Sequence, residues 1–425
     1  MRRLCITIMA LAAGLAACGD PASTPVAGGD NAAPPVAETP EGNELLFLGM
    51  GRGVKVFDTE TEAVMLDAAP AVPSQQGNVV FQTTARAEGT EVAAFDPANG
   101  HALWSTVLAE PAELRIAAQD GSAAVLGAPR PVDGTIPGRV TTQLTIVRGE
   151  DDMQRYDVPG NVEPETFSTD ANKLFLIDYL PPEAPTSYSL KLLDLTTGAV
   201  GEVFDAHGGH REPMQGTARR HVYSPDGTRL YTYYEILGDP YYEHLKGPYR
   251  AFVHVLDLEN EWAHCVVLDD PFGTIPDTGA TLTVAPEGDS VYVTDPALGL
   301  LAEIDTELLR VVNTSEVVPP QPVYGSAAVA TDDTVFVSYD NQLHAVDRES
   351  RTATPLFAAT APVGALYVSR SGEKLYAALP DRVVVYDTAT YERLDELLVG
   401  KEPVEYFDPS GVPLDATSDV IKCAC

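Results

Sequence analysis

The sequence predicts an all-β protein, a β-propeller of eight four-stranded blades closed by its own two ends. Three observations lead there. A short apolar run ending in an aspartate and a turn recurs along the chain, most clearly at Val54-Lys55-Val56-Phe57-Asp58, Leu190-Lys191-Leu192-Leu193-Asp194, Val253-His254-Val255-Leu256-Asp257 and Val383-Val384-Val385-Tyr386-Asp387. Apolar and polar residues alternate with period two, with no helical stretch of any length. Finally, residues 403 to 411 read as a first strand and its turn with too little chain following for a blade, whereas Glu44-Leu45-Leu46-Phe47-Leu48 reads as a second strand. Joining these halves into one blade removes two sheet edges and seals the ring.

The chain begins with a segment that is not a fold element. Arg2 and Arg3 precede an apolar run from Leu4 to Leu15, too short to span a bilayer and placed where a secretory signal sits. Leu15-Ala16-Ala17-Cys18-Gly19 resembles the lipobox of bacterial lipoproteins, which implies cleavage before Cys18 and acylation of that cysteine. Residues 19 to 43, rich in Pro and Ala and poor in large apolar side chains, cannot offset the entropy of ordering and read as a tether. The expected organisation is therefore a signal at 1–17, a lipidated cysteine and tether at 18–43, and a propeller at 44–425. The expected location is the bacterial cell envelope, on the periplasmic or extracellular side, with the membrane met through the lipid anchor only.

Within the body, the repeat aspartates are Asp58, Asp96, Asp194, Asp257, Asp305, Asp347 and Asp387. A unit of this size cannot bury its apolar face alone, so copies must stack. The interval from Asp96 to Asp194 is too long for one unit and holds a degenerate copy, Leu144-Thr145-Ile146-Val147. That makes eight blades, or seven if one copy is an insertion. Strand reversals follow at Ser224-Pro225-Asp226-Gly227, Ala285-Pro286-Glu287-Gly288 and Ser369-Arg370-Ser371-Gly372, whose residues suit tight turns. Tyr292-Val293-Thr294-Asp295 resembles the Tyr-Val-Thr-Asn signature of YVTN-type propeller repeats, and the similar unit from Ala361 to Gly400 ends in Leu398-Val399-Gly400 as those repeats often do. The resemblance implies a fold, not a reaction, because its members include surface proteins, binding proteins, lactonase-like enzymes and amine dehydrogenase heavy subunits. Phe95-Asp96-Pro97-Ala98-Asn99-Gly100 with Trp104 is similar to the tryptophan-docking repeat of quinoprotein propellers, but those carry it in nearly every blade and this chain has two tryptophans in total. No quinone, and no other cofactor, is expected.

A net charge of −35 repels phosphate backbones, so no nucleic-acid partner is expected. The densest acidic clusters, Glu150-Asp151-Asp152 and Asp269-Asp270, lack the spacing of a calcium loop. Besides Cys18, the residues Cys265, Cys423 and Cys425 remain in an oxidising compartment after export. A disulfide from Cys265 to one of the terminal pair, a metal or redox role for the pair, and no special role all stay open.

Long insertions at 128–138, 179–188 and 235–250 fall in consecutive blades and should crowd one sector of one face. The last is rich in Tyr233, Tyr234, Tyr241, Tyr242, His244, Lys246, Tyr249 and Arg250, and His207-Gly208-Gly209-His210-Arg211 lies on the loop entering the same blade. His207, His210, Arg211, Tyr241, Tyr242, His244 and Arg250 are the ligand-binding candidates: aromatics supply area at little entropic cost, and the cations orient a carboxylate or sugar acid. The competing reading packs the tyrosines onto the blade and leaves the histidines in solvent. His207, His210 and His244 are also metal candidates, while His264 reads as a structural residue of an outer strand. No nucleophile elbow, zincin helix, haem site or phosphate loop is present, so no catalytic residue is assigned. The expected function is noncatalytic binding of a protein or small-molecule ligand through this face. The alternatives are a lactonase-like hydrolase, an amine dehydrogenase heavy-subunit-like component, and an envelope assembly scaffold.

Overall fold

Period-two alternation turns Leu45 and Phe47 to one side of a strand and Leu46 and Leu48 to the other, and all four are buried. A strand buried on both sides needs a neighbouring sheet on each. The computed structural model supplies them: Leu45 and Phe47 pack with Val54, Ala71 and Val80, whereas Leu46 and Leu48 pack with Ala378, Val383 and Val385 from the far end of the chain. The described residues are 44–50, 52–130, 138–208, 214, 216–236, 250–275, 279–320, 326–399 and 406–407. They belong to one compact unit, Ala32–Cys425; the other unit, Met1–Asn31, which carries the expected signal and Cys18, lies outside the described residues.

Eight sheets form the blades of the ring, each with four antiparallel strands. Blade I combines Tyr406–Phe407 with Leu45–Met50, Gly53–Asp58 and Val64–Ala68. Blade II holds Ala71–Pro73, Val80–Arg86, Gly89–Phe95 and Ala102–Leu108. Blade III holds Glu113–Ala117, Ala124–Gly127, Thr141–Val147 and Met153–Pro159, and thus includes the degenerate copy. Blade IV runs Asn161–Phe167, Lys173–Leu180, Ser187–Asp194 and Val200–Glu202. Blade V runs Thr217–Tyr223, Arg229–Glu235, Ala251–Asp257 and Trp262–Leu268. Blades VI, VII and VIII begin at Thr281, Ser326 and Ala365 and repeat the plan. No helix occurs among the described residues.

Two features define closure. Leu48 pairs with Phe407 and Gly49 with Tyr406, so the C-terminal strand completes the first blade as the sequence predicts. Eight apolar clusters also lie one in each seam between neighbouring blades, including the seam from blade VIII back to blade I. Fully burying one leucine contributes about 1.5–3 kcal/mol, so each seam is a substantial bond between sheets.

The repeating aspartate has a local cause. In the turn that follows the third strand, Asp58 Oδ1 accepts the backbone N–H groups of Glu60 and Thr61 at 2.9 and 2.8 Å. Asp194, Asp305 and Asp387 do the same with the second and third residues beyond them. The carboxylate satisfies two turn donors that no ladder reaches, which is why the residue recurs while its neighbours vary. Those N–H groups hold the Asp194 and Asp387 carboxyls below the usual range.

Blade V departs from four strands. The dipeptide Phe204–Asp205 adds a fifth, pairing in parallel with the outermost strand at Phe204↔Trp262 and Asp205↔Ala263. Trp104, on the outer strand of blade II, packs its ring at 6.0 Å from Phe81.

Candidate functional site

In blades II to VIII the chain enters the sheet at its inner strand and works outward, and in blade I it enters at the second. Connections from second to third strand and from blade to blade therefore open on one end of the ring, the entry face. The insertion at 128–138 joins the second and third strands of blade III, and the one after Leu180 does so in blade IV. These two loops meet: the Arg139 N–H donates to the Pro182 carbonyl at 2.9 Å, and Asn161 Nδ2 donates to the same oxygen at 3.1 Å.

Beneath them lies a cluster of arginines. Arg52 from the connection between the second and third strands of blade I pairs with Glu113, the first residue of the inner strand of blade III. The backbone N–H of Arg130 donates to Glu113 Oε2 at 2.8 Å, and Arg115 Nη1 stands 3.3 Å from the same oxygen. Across the seam in blade IV, Glu163 receives Arg139 on one oxygen and faces Arg130 Nη2 and Arg115 Nε, each at 3.5 Å, with the other. Arg139 is held in place by Nε donation to Asn161 Oδ1 at 2.7 Å and Nη2 donation to the Val162 carbonyl at 3.1 Å. Four guanidiniums thus surround two carboxylates, a local positive excess in a strongly acidic chain.

Arg115 is the most enclosed of the four, its side chain 2% exposed against 68% for Arg52. Its Nη2 donates to the Ala128 carbonyl, while Nε and Nη1 have carboxylates nearby but no hydrogen-bonded acceptor. Leaving a buried donor unmade costs about 1–3 kcal/mol, so the site holds unused capacity for an acceptor. Burial pushes the Arg115 guanidinium down to about 10; Glu163 opposes this, and Arg130, Arg139 and Arg52 add to it. Burial would raise the Glu163 carboxyl, but Arg115, Arg130 and Arg139 together hold it below the usual range. Two residues along the same strand, Glu165 sits in a bulge of the inner strand with no ion-pair or hydrogen-bond partner among the described residues, and burial raises it to about 7.

The residues picked out by sequence reasoning are dispersed differently. Arg250 immediately precedes the third strand of blade V on the entry face, where its carbonyl accepts the Ile236 N–H at 2.9 Å. His207 follows the added edge strand and lies at the outer margin of blade V, beside His264. Ala251 pairs with Leu268, whereas Asp205 pairs with Ala263, five residues earlier on that strand, about 17 Å along it. The structure therefore does not bring His207 and Arg250 to one point. His210, Arg211, Tyr241, Tyr242 and His244 lie outside the described residues, as do Cys423 and Cys425. Cys265 places its thiol 3.8 Å from Met214 Sδ.

At that outer margin, Asp205 Oδ1 lies 3.3 Å from His207 Nδ1 and Oδ2 lies 3.3 Å from His264 Nδ1. Burial opposes ionisation of Asp205, yet the His207 N–H and the His264 ring hold its carboxyl below the usual range. Sequence reasoning missed Asp205 and set His264 aside, because only the edge pairing joins them. It also missed Arg115 and Glu163, whose one signal was charge on an inner strand, and Arg139, which lies in the connection before Thr141 and carried no signal.

The chain matches no protein-family model and no curated protein. Its resemblance to YVTN-type repeats accordingly rests on the quoted motifs. Among solved structures, apo AztD from Citrobacter koseri superposes with a TM-score of 0.52 at 12% identity, over 85% of this chain and 97% of that one. Sqt1 from Saccharomyces cerevisiae gives 0.50 at 10% identity, over 82% of this chain and 88% of that one. The dihydro-heme d1 dehydrogenase NirN in complex with DHE gives 0.49 at 14% identity, over 89% and 78%. At such identities, the likeness of AztD and Sqt1 is one of fold alone, an eight-bladed propeller in this chain.

Proposed function

We propose that this chain is an exported, lipid-anchored propeller that binds a carboxylate-bearing small molecule, without catalysis, on its entry face at Arg52, Arg115, Arg130 and Arg139. The observation that carries the reading is Arg115, a 2%-exposed guanidinium with two donors lacking hydrogen-bonded acceptors in a cluster of net positive charge. Arginine suits this role because its planar fork matches the two oxygens of a carboxylate. Arg52, mostly in solvent, would meet the ligand first, and the enclosed guanidiniums would take its charge out of water. Tyr241 and Tyr242 of the third insertion, which opens between Ile236 and Arg250, would add aromatic area for a sugar acid. Acylation at Cys18 would hold the body at the envelope, and a Cys18→Ala chain that still incorporates labelled palmitate would remove that part of the proposal.

Glucuronate and citrate serve as probes, with neutral glucose as control. The acids are expected to raise the thermal midpoint of the wild type and to leave an Arg52→Gln, Arg130→Gln double variant unchanged. Equal response of both proteins, or response of neither, overturns the site.

A further inference from the structure

We propose that Asp205, His207 and His264 form a binding site for a divalent transition metal of the zinc class on the outer edge of blade V, separate from the arginine cluster. The three offer one ligand atom each, all lying within 4.8 Å of one another. Two imidazoles and a carboxylate are the donors that zinc takes, and three protein ligands leave a fourth position open to water or to an incoming group.

Both imidazoles face the Asp205 carboxylate at a distance that suits a shared ion as well as a weak hydrogen bond. Both carboxylate-to-imidazole separations are 3.3 Å, longer than the roughly 2.7–2.9 Å of a charge-assisted hydrogen bond. Bonds of about 2.0–2.1 Å arranged tetrahedrally set neighbouring ligand atoms about 3.3–3.4 Å apart. Each imidazole therefore stands one such edge from its own carboxylate oxygen, His207 from Oδ1 and His264 from Oδ2. The rings stand edge to face with centroids 5.0 Å apart, so both Nδ1 atoms converge on one carboxylate without stacking.

The fold builds this arrangement through the added edge strand of blade V. Phe204 and Asp205 pair in parallel with Trp262 and Ala263, which sets Asp205 beside the residue before His264. The His207 N–H then donates to Asp205 Oδ1 at 2.9 Å, fixing the carboxylate and turning the chain so that the His207 ring comes back over it. A ligating carboxylate oriented by a second hydrogen bond is the usual support of a metal site. His207 is 74% exposed at its side chain, which gives an ion a route in, and the net charge of −35 concentrates cations near the surface.

The test is a zinc titration against a chromophoric chelator, using the metal-stripped mature chain in a Cys423→Ser, Cys425→Ser background so that the terminal thiols take no metal. One zinc ion is expected to bind, with His207→Ala, His264→Ala and Asp205→Asn each weakening it about tenfold or more. His101→Ala, at an exposed histidine in blade II, should leave the affinity unchanged. His207→Ala is the decisive variant because its ring is mostly exposed and lies outside the core, and an unaltered circular dichroism spectrum confirms its fold. Wild type and His207→Ala binding zinc equally, or a wild type that takes none, overturns the site.

Discussion

Arg115 Nε stands 3.5 Å from Glu163 Oε2 across the seam between blades III and IV. The separation allows charge attraction but is too long for a good hydrogen bond. Glu163 spreads its charge over three guanidiniums and makes its closest contact with Arg139. Replacing it uncovers buried positive charge, so Glu163→Gln is expected to cost roughly 3–5 kcal/mol at neutral pH. The Glu163 carboxyl is depressed in the folded state, so its contribution is present above the unfolded value near 4.5 and is lost as pH falls through the folded value. Thermal midpoints of the two proteins should therefore converge in acid. A gap of constant size down to acid unfolding would contradict this account.

Glu165 behaves in the opposite sense. Its carboxyl rises from 4.5 to about 7 because burial penalises the charged form. Between those values the folded chain binds more protons than the unfolded one, so stability falls as pH climbs. Glu165→Gln should therefore match the wild type at pH 4.5 and exceed it at pH 8 by up to roughly 3 kcal/mol. Midpoints measured at both values check this, and identical pH profiles would refute it.

Closure of the ring gives a third expectation. Leu48 and Gly49 have Phe407 and Tyr406 as their only partners on that side of the sheet among the described residues. Ending the chain before Pro403 should expose that edge of blade I and lower the midpoint by at least a few degrees. An unchanged melting curve would mean that the seam from blade VIII to blade I closes the ring by itself.

The architecture was legible because its causes are local. Asp58 and Asp387 recur for the sake of turn donors two and three residues away, and Leu45 to Leu48 alternate because a sheet stands on each side. The insertion at 128–138 was legible too, and it contributes Arg130 to the cluster. The remainder depends on contacts between distant segments. Arg52, Glu113, Arg139 and Glu163 come from three blades, and no spacing in the chain announces their meeting. Asp205 reaches His264 through a strand of two residues, too short to carry any periodic signal.

The central claim is that the entry-face arginines hold a carboxylate, and calorimetric titration with glucuronate tests it most directly. The wild type should release or take up heat along a saturating one-site curve, and Arg52→Gln with Arg130→Gln should flatten that curve while both proteins melt alike. A wild-type trace no different from buffer, or one that the paired substitutions leave intact, contradicts the assignment.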